Sequence, residues 1–387
     1  MDRVDPKVDE AIETLNMKDG PSRRKLLKGT GLVSATAAAS ALLAACSSSS
    51  SPASAAAKDT AGNFPKTPAW QFWFVNHVTT NTFFTPTQYG FADAAAILDI
   101  PVPKWTGSTN SVASQMVAQI NAAVSAKAAG IATTLINSSS FTTPVANAMS
   151  AGIPVLSYNA DGVVSKSGVP DIGCNRLAYV GQALFTSGQQ LGERIKSLTT
   201  PGEVAIFIET PGTANIQPRF DGANSILSPL GYKVAEITTT TVPATILANE
   251  KAYLLAHKSV KGAFAVDSTS TSFLAQALAE TGLSHLPNGG FDTVPQTLTN
   301  IKAGTTGFTI YQDPYLQGFL PTLYMYLYNI SGGTLVPSDT DTGLSFITKN
   351  NLTQYNVASR YQGSTTAQKY VPRPSGAISN PPATTST

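Results

Sequence analysis

The chain has 387 residues and only 12% charged side chains, 25 Lys/Arg against 23 Asp/Glu, for a formal net charge of +2. The absence of a basic stripe argues against nucleic acid as a partner. Two cysteines, Cys46 and Cys174, are too few for a disulfide framework. Residues 1–46 hold seven of the basic and six of the acidic side chains, so the remainder is also near neutral.

The first feature in chain order is Ser22-Arg23-Arg24-Lys25-Leu26-Leu27-Lys28, followed by the alanine-rich apolar run Gly29–Ala45 and then Cys46. A paired arginine before an apolar segment predicts a twin-arginine export signal over 1–45. The run is too short to cross a bilayer, which needs ~20 residues. Small residues directly before Cys46 predict a lipoprotein whose new N-terminal cysteine carries the lipid. The expected location is therefore the outer face of the cell membrane, in the periplasm or cell envelope, where multiple acyl chains make anchoring stable. Residues 46–67 are rich in Ser, Ala and Pro and read as a flexible linker, and 371–387 read as a disordered tail. With Cys46 consumed, Cys174 is left unpaired, and it reads as a small buried residue at a hinge.

Between these segments strands alternate with amphipathic helices. Strands are expected at 71–78, 130–135, 155–158, 204–208, 233–237, 262–266, 289–291 and 308–311. Helices are expected at 86–98, 111–128, 143–150, 179–198, 216–230, 244–257, 270–281, 294–303 and 315–328. Short apolar strands alternating with helices imply parallel sheets covered on both faces. The pattern begins again after Asp171, so the expected fold class is α/β with two doubly wound parallel-sheet lobes.

In such sheets ligands bind beyond the carboxyl ends of the strands. Asn81, Phe83 and Phe84 follow the first strand, Asn159 and Asp161 follow 155–158, and Glu209-Thr210-Pro211-Gly212 follows 204–208, with Arg219 beyond. Asp267, Asp292 and Gln312 follow later strands. Helix capping explains any one Asn or Asp, but it does not explain the aromatic pair or Arg219. Together these residues suit a neutral polyhydroxylated ligand. Carboxylates, amides and a guanidinium grip hydroxyls, and aromatic rings cover the C–H face of a sugar.

The motifs Asn81-Thr82-Phe83-Phe84, Ala151-Gly152-Ile153-Pro154-Val155 before Asn159, Gly289-Gly290-Phe291-Asp292 and Phe308-Thr309-Ile310-Tyr311-Gln312 resemble the sugar-binding lipoproteins of bacterial ABC importers. These have the type I periplasmic-binding-protein fold of the ribose- and galactose-binding group. The resemblance covers roughly residues 70–335. It implies two lobes joined by a three-segment hinge, 68–173 with 313–341 and 174–312 with 342–370. It places crossings near 171–175, 312–314 and 339–342. The ligand set would be Asn81, Phe83, Phe84, Asn159, Asp161, Arg219, Asp267, Asp292 and Gln312. Asn159-Ala160 stands where ribose binders carry Asp-Arg, so the hydroxyl pattern being read differs from that of ribose. Trp105 reads equally as a ring near the cleft or as core. Repressors of the same fold carry an N-terminal helix-turn-helix, and an export signal occupies that position here.

The implied function is capture of a neutral monosaccharide or polyol by a monomer that closes about its hinge and delivers the ligand to an ABC permease subunit in the membrane. No phosphate-binding loop occurs, so a separate protein would hydrolyse the ATP. No cofactor is implied. A ligand sensor of the same fold, presenting a sugar, nucleoside or furanone to a receptor, remains open. An exported carbohydrate-active enzyme would need a carboxylate pair such as Asp161 with Asp267 or Asp292. Gly-x-Ser-x-Gly is absent, and His77, His257 and His285 are scattered without a metal-ligand spacing.

Overall fold

The structure, a computed structural model, describes residues 67–162, 175–355 and 360–363. The export signal, Cys46, the linker, Cys174 and the tail 371–387 lie outside the described residues.

Two six-stranded sheets each form the centre of a lobe. The first is built from β1 (Phe72–Asn76), β2 (Lys104–Gly107), β3 (Gly130–Leu135), β4 (Val155–Asp161), β5 (Ala178–Gly181) and β11 (Thr340–Asp341), in the order β11-β5-β4-β3-β1-β2. The second holds β6 (Glu203–Ile208), β7 (Lys233–Thr238), β8 (Ala263–Ala265), β9 (Asn288–Phe291), β10 (Phe308–Tyr311) and β12 (Ser345–Ile347), in the order β12-β10-β9-β8-β6-β7. Pairings are parallel except β10 with β12.

Helices cover both faces, as a parallel sheet requires. They are α1 (Thr85–Leu98), α2 (Ala113–Ser125), α3 (Ser138–Ser150) and α9 (Leu316–Ile330) on the first sheet, and α4 (Leu184–Leu198), α5 (Gln217–Leu227), α6 (Pro243–Ala256), α7 (Ser268–Glu280) and α8 (Pro295–Ala303) with the second. Pro86, Pro218, Pro243 and Pro295 sit in the first turn of their helices, where no N–H is needed. Strand alternation divides each core in two. Trp73 and Val75 pack with Met116, Ile120 and Phe141, while Phe72 and Phe74 pack with Phe91 and Met325 on the opposite face. In the second lobe Val204, Ile206 and Ile208 meet Leu191 and Phe220, and Ala205 and Phe207 meet Leu254 and Leu274. Each large apolar side chain so buried contributes roughly 1.5–3 kcal/mol.

Three expectations need correction. The stretch 179–198 is not one helix. Its start is β5, whose Leu156↔Ala178 and Tyr158↔Val180 pairings extend the first sheet, and the helix begins at Leu184. The first crossing therefore falls after Gly181 rather than near 171–175, and 175–181 belong to the first lobe. Arg176 fastens this segment there through ion pairs to Asp161 and Asp339. Finally, Arg360–Gly363 do not belong to the second lobe. Arg360 pairs with Asp93 of α1, and the Tyr361 ring lies 4.8 Å edge-on to Tyr315. Those two acidic and aromatic surfaces seat the segment on the first lobe.

Candidate ligand-binding site

In each sheet the strand order reverses at one place, between β1 and β3 in the first lobe and between β6 and β8 in the second. The loops that leave the carboxyl ends of these strands face one another across the lobes. The Ala214 N–H donates to Ile136 O at 3.0 Å. His77 Nε2 lies 3.3 Å from Asn215 Nδ2. The lobes are thus closed on each other, and His77, Ile136, Ala214 and Ile216 are all buried.

Arg219 lies in the first turn of α5 and is 2% exposed. It reaches this depth because α4 and α5 touch backbone to backbone. A Cβ at Gly188 would stand 2.1 Å from Arg219 O, and one at Gly222 2.1 Å from Phe185 O. Arg219 Nη1 donates to Val266 O at 2.9 Å and Nη2 to Gln182 Oε1 at 3.0 Å, and the guanidinium lies 4.2 Å over the Phe291 ring. Its Nε has no partner among the described residues. Burial pulls its pKa down and Asp292 opposes that pull, and a guanidinium stays charged.

Asp292 follows β9 with a left-handed φ of 74°, its N–H donating to Ile310 O and its carbonyl accepting from Thr309 Oγ1. That backbone turns the carboxyl inward. Burial pushes its pKa up, while Arg219 and then Gln312 hold it down. Gln312 Nε2 donates to Asp292 Oδ1 at 2.7 Å. Gln312 Oε1 accepts from Gln317 Nε2 at 3.1 Å, and Gln317 Oε1 accepts from Asn159 Nδ2 at 3.2 Å. Thr342 Oγ1 donates to Gln312 O at 2.7 Å. The donors all point one way, from Asn159 in the first lobe through Gln317 and Gln312 to the carboxylate of the second. This line runs past the second and third crossings, so hydrogen bonds join the hinge to the site. All four side chains are buried, where an amide chain holds together only when each member is satisfied.

The remaining expected residues divide. Asn81 caps the short turn Thr82–Phe84 by accepting from the Phe83 N–H at 2.9 Å. That turn sets Phe83 and Phe84 edge to face at 4.7 Å, with Phe84 also edge-on to His77 and Tyr158. Trp105 packs beside Phe84 and Phe91, its indole N–H donating to Thr79 O. Asp161 is committed elsewhere. Arg176 Nε and Nη2 donate to its two oxygens at 2.8 and 2.5 Å, and Ser157 Oγ donates to it as well. Asp267 caps α7, accepting from Ser270 N, Ser270 Oγ and Glu209 N at 2.7, 2.9 and 2.9 Å. Burial pushes Asp267 up to about 6 against those hydrogen bonds.

Sequence reasoning left out Gln182, Gln317, His77 and Asn215. Gln182 and Gln317 sit where the chain changes lobes, at the end of β5 and in the first turn of α9. Their signal was position beside a crossing; for Gln182 it was lost with the misplaced first crossing, whereas Gln317 stands just past the second crossing and was passed over as a helix residue. His257 takes no part, being stacked on Tyr253 and bound to Glu203.

Residues 72–332 match a family model described as a periplasmic binding protein domain. The xylose/arabinose-binding protein XylF of Sulfolobus acidocaldarius is 45% identical over 320 residues, covering 80% of this chain and 78% of that protein. An ABC-transporter solute-binding protein from Burkholderia graminis, solved with D-arabinose, aligns with a TM-score of 0.68 at 27% identity, over 75% of this chain and 99% of that one. A carbohydrate transporter from Acidothermus cellulolyticus, solved with myo-inositol, shares the fold with a TM-score of 0.66 at 22% identity, over 76% and 99%.

Proposed function

This chain belongs to the periplasmic binding protein family, and on that premise we propose that it captures a neutral pentose in the cleft between its lobes and delivers it to an ABC permease. The observation that carries the reading is the oriented hydrogen-bond line from Asn159 to Asp292, beside Arg219. A sugar hydroxyl both donates and accepts, so it can bridge a guanidinium and a carboxylate. An anionic ligand would meet the carboxyl groups of Asp292 and Asp267 with one guanidinium to offset them, which favours a neutral one. The 45% identity to a xylose/arabinose-binding protein supports a pentose within that class.

The hinge gives the mechanism. A ligand favours closure only by its differential affinity for closed and open forms. A sugar touching Arg219 and Asp292 on one lobe and the Asn159 region on the other binds the closed form better. Micromolar affinity corresponds to about 8 kcal/mol, within reach of several charge-assisted hydrogen bonds and one aromatic face after closure costs. Export by the twin-arginine signal, lipidation of Cys46 and action as a monomer complete the reading.

Titration calorimetry of the full chain with D-xylose, D-arabinose, L-arabinose, D-ribose, D-glucose and myo-inositol tests it. Heat with one or more pentoses at micromolar concentrations is expected. Silence across the panel refutes the sugar assignment. For the anchor, Cys46→Ala should move the protein from the membrane fraction to the soluble one.

A further inference from the structure

Glu209 is the first residue after β6, and Asp267 stands just beyond β8, so the two flank the place where the second sheet reverses its strand order. Its N–H donates to Asp267 Oδ2 at 2.9 Å, which fixes its backbone at the cleft. Five residues on, the same loop reaches the first lobe through Ala214 and Asn215. The Glu209 carboxyl therefore stands at the root of the segment that closes over the ligand.

We propose that Glu209 completes the sugar-contacting set, its carboxyl group facing the ligand as a hydrogen-bond donor. This inference rests on the pentose-binding reading above. The neighbouring acids are each engaged, Asp292 through one of its two oxygens. Asp267 is filled by Ser270 and the Glu209 N–H, and Asp292 takes the Gln312 amide. Among the described residues no group hydrogen-bonds the Glu209 carboxyl.

The charges around it favour the acid form. From the β8–α7 connection Asp267 faces it, and after β9 Asp292 does. Glu250 of α6 lies behind Asp267 and is itself pushed up, by burial first and then by Asp267. The site's cation, Arg219 of α5, is turned to Val266 O and Gln182 and lies over Phe291. Burial first, then Asp267 and Asp292, push Glu209 up to about 9. A neutral carboxylic acid offers one O–H to donate and a carbonyl to accept, a pairing a sugar hydroxyl matches and an ionised carboxylate does not. Sugar bound to the O–H holds the proton further, so by linkage affinity is retained through neutrality and falls once Glu209 ionises.

The test is calorimetry of D-xylose and D-arabinose binding to the full chain at pH 6, 7.5 and 9.5, for wild type, Glu209→Gln and Glu209→Ala, with thermal melting to confirm folding. The expected result has three parts. Glu209→Gln, a permanent neutral donor, binds within about threefold of wild type and keeps that affinity at pH 9.5. Wild type weakens about three- to fourfold between pH 7.5 and 9.5, the limit set by a carboxyl that ionises at about 9. Glu209→Ala is weaker by about tenfold at pH 7.5, the loss of one good hydrogen bond. Wild-type affinity in Glu209→Ala, or an alkaline loss in Glu209→Gln equal to that of wild type, overturns the inference and leaves the pentose reading standing. No binding of D-xylose, D-arabinose, L-arabinose or D-ribose by wild type overturns both.

Discussion

His77 and Asn215 meet across the cleft at 3.3 Å, Nε2 to Nδ2, although 138 residues separate them. His77 Nδ1 is 3.1 Å from Thr134 Oγ1. A ring proton on Nδ1 is donated to Thr134 and leaves Nε2 to accept from the Asn215 amide. Opening the lobes breaks this bond, so it acts on the closed state alone. Asn215→Ala should weaken pentose binding about fivefold, a bond's worth of ~1 kcal/mol, with the change in the dissociation rate. Stopped-flow dissociation with scattering measurements of lobe opening checks it. An unchanged rate would exclude the pair from closure.

Burial of His77 gives a pH dependence whose sign follows from linkage. Its pKa falls from 6.5 to about 3 in the folded protein. The associated stability is present above about pH 6.5 and is lost as pH falls toward 3. Urea melts at pH 4 and pH 7 should show wild type losing more stability on acidification than His77→Gln does.

Glu250 of α6 works in the opposite direction. It is fully buried, and neither carboxyl oxygen has a hydrogen-bond partner among the described residues. Burial, then Asp267, hold its pKa well above 4.5. A raised acid stabilises the fold at low pH, and that contribution is lost as pH rises from about 4.5 through the folded pKa. Glu250→Gln should therefore stabilise the protein at pH 8 by roughly 1–3 kcal/mol, with the gain shrinking toward pH 4. Thermal melts across that range provide the measurement.

Asp161 and Arg219 are separable by experiment. Asp161→Asn disturbs the Arg176 ion pair, which also carries Asp339. It should lower stability by roughly 1–3 kcal/mol and leave pentose affinity unchanged. Arg219→Met keeps much of the buried stem and should cost at least about 3 kcal/mol in binding, read by calorimetry on protein shown to be folded.

Gly188→Ala probes the support beneath the site. Its Cβ would stand 2.1 Å from Arg219 O, against backbone that cannot yield without moving α5. A destabilisation of about 1–3 kcal/mol or more and a loss of affinity should appear together. Full affinity in a folded Gly188→Ala protein would show that Arg219 need not sit where α4 and α5 touch.

Much of this architecture is legible in the letters. The strands 130–135 and 308–311 are found where they are expected, because each is a short apolar run with a glycine at its start or just before it, Gly130 and Gly307. Strand β5 was hidden because Tyr179–Leu198 carries a continuous apolar period that suits helix as well as strand. Strands β2, β11 and β12 are short, and each lies at the edge of its sheet, where the burial pattern is weak. At the site, strand-end position drew Arg219, Asp292 and Gln312 into view, and the structure brings them together. The same rule drew in Asp161 and Asp267, whose oxygens are already taken by Arg176 and by Ser270. Whether a carboxylate is satisfied depends on partners that residue type and strand-end position do not reveal. Closure is still less local, since it joins His77 to Asn215 and Ile136 to Ala214 from different lobes.

Thr67 Oγ1 is 3.3 Å from the Tyr326 hydroxyl and Trp70 stacks edge-on against the same ring, while Arg360 and Tyr361 return to Asp93 and Tyr315. Both ends of the described fold are therefore moored on the first lobe, and among the described residues the second lobe holds neither end. A pull applied at either end, by an anchor, a surface or an optical trap, is borne by the first lobe. The second swings as the door of a frame fixed at both posts.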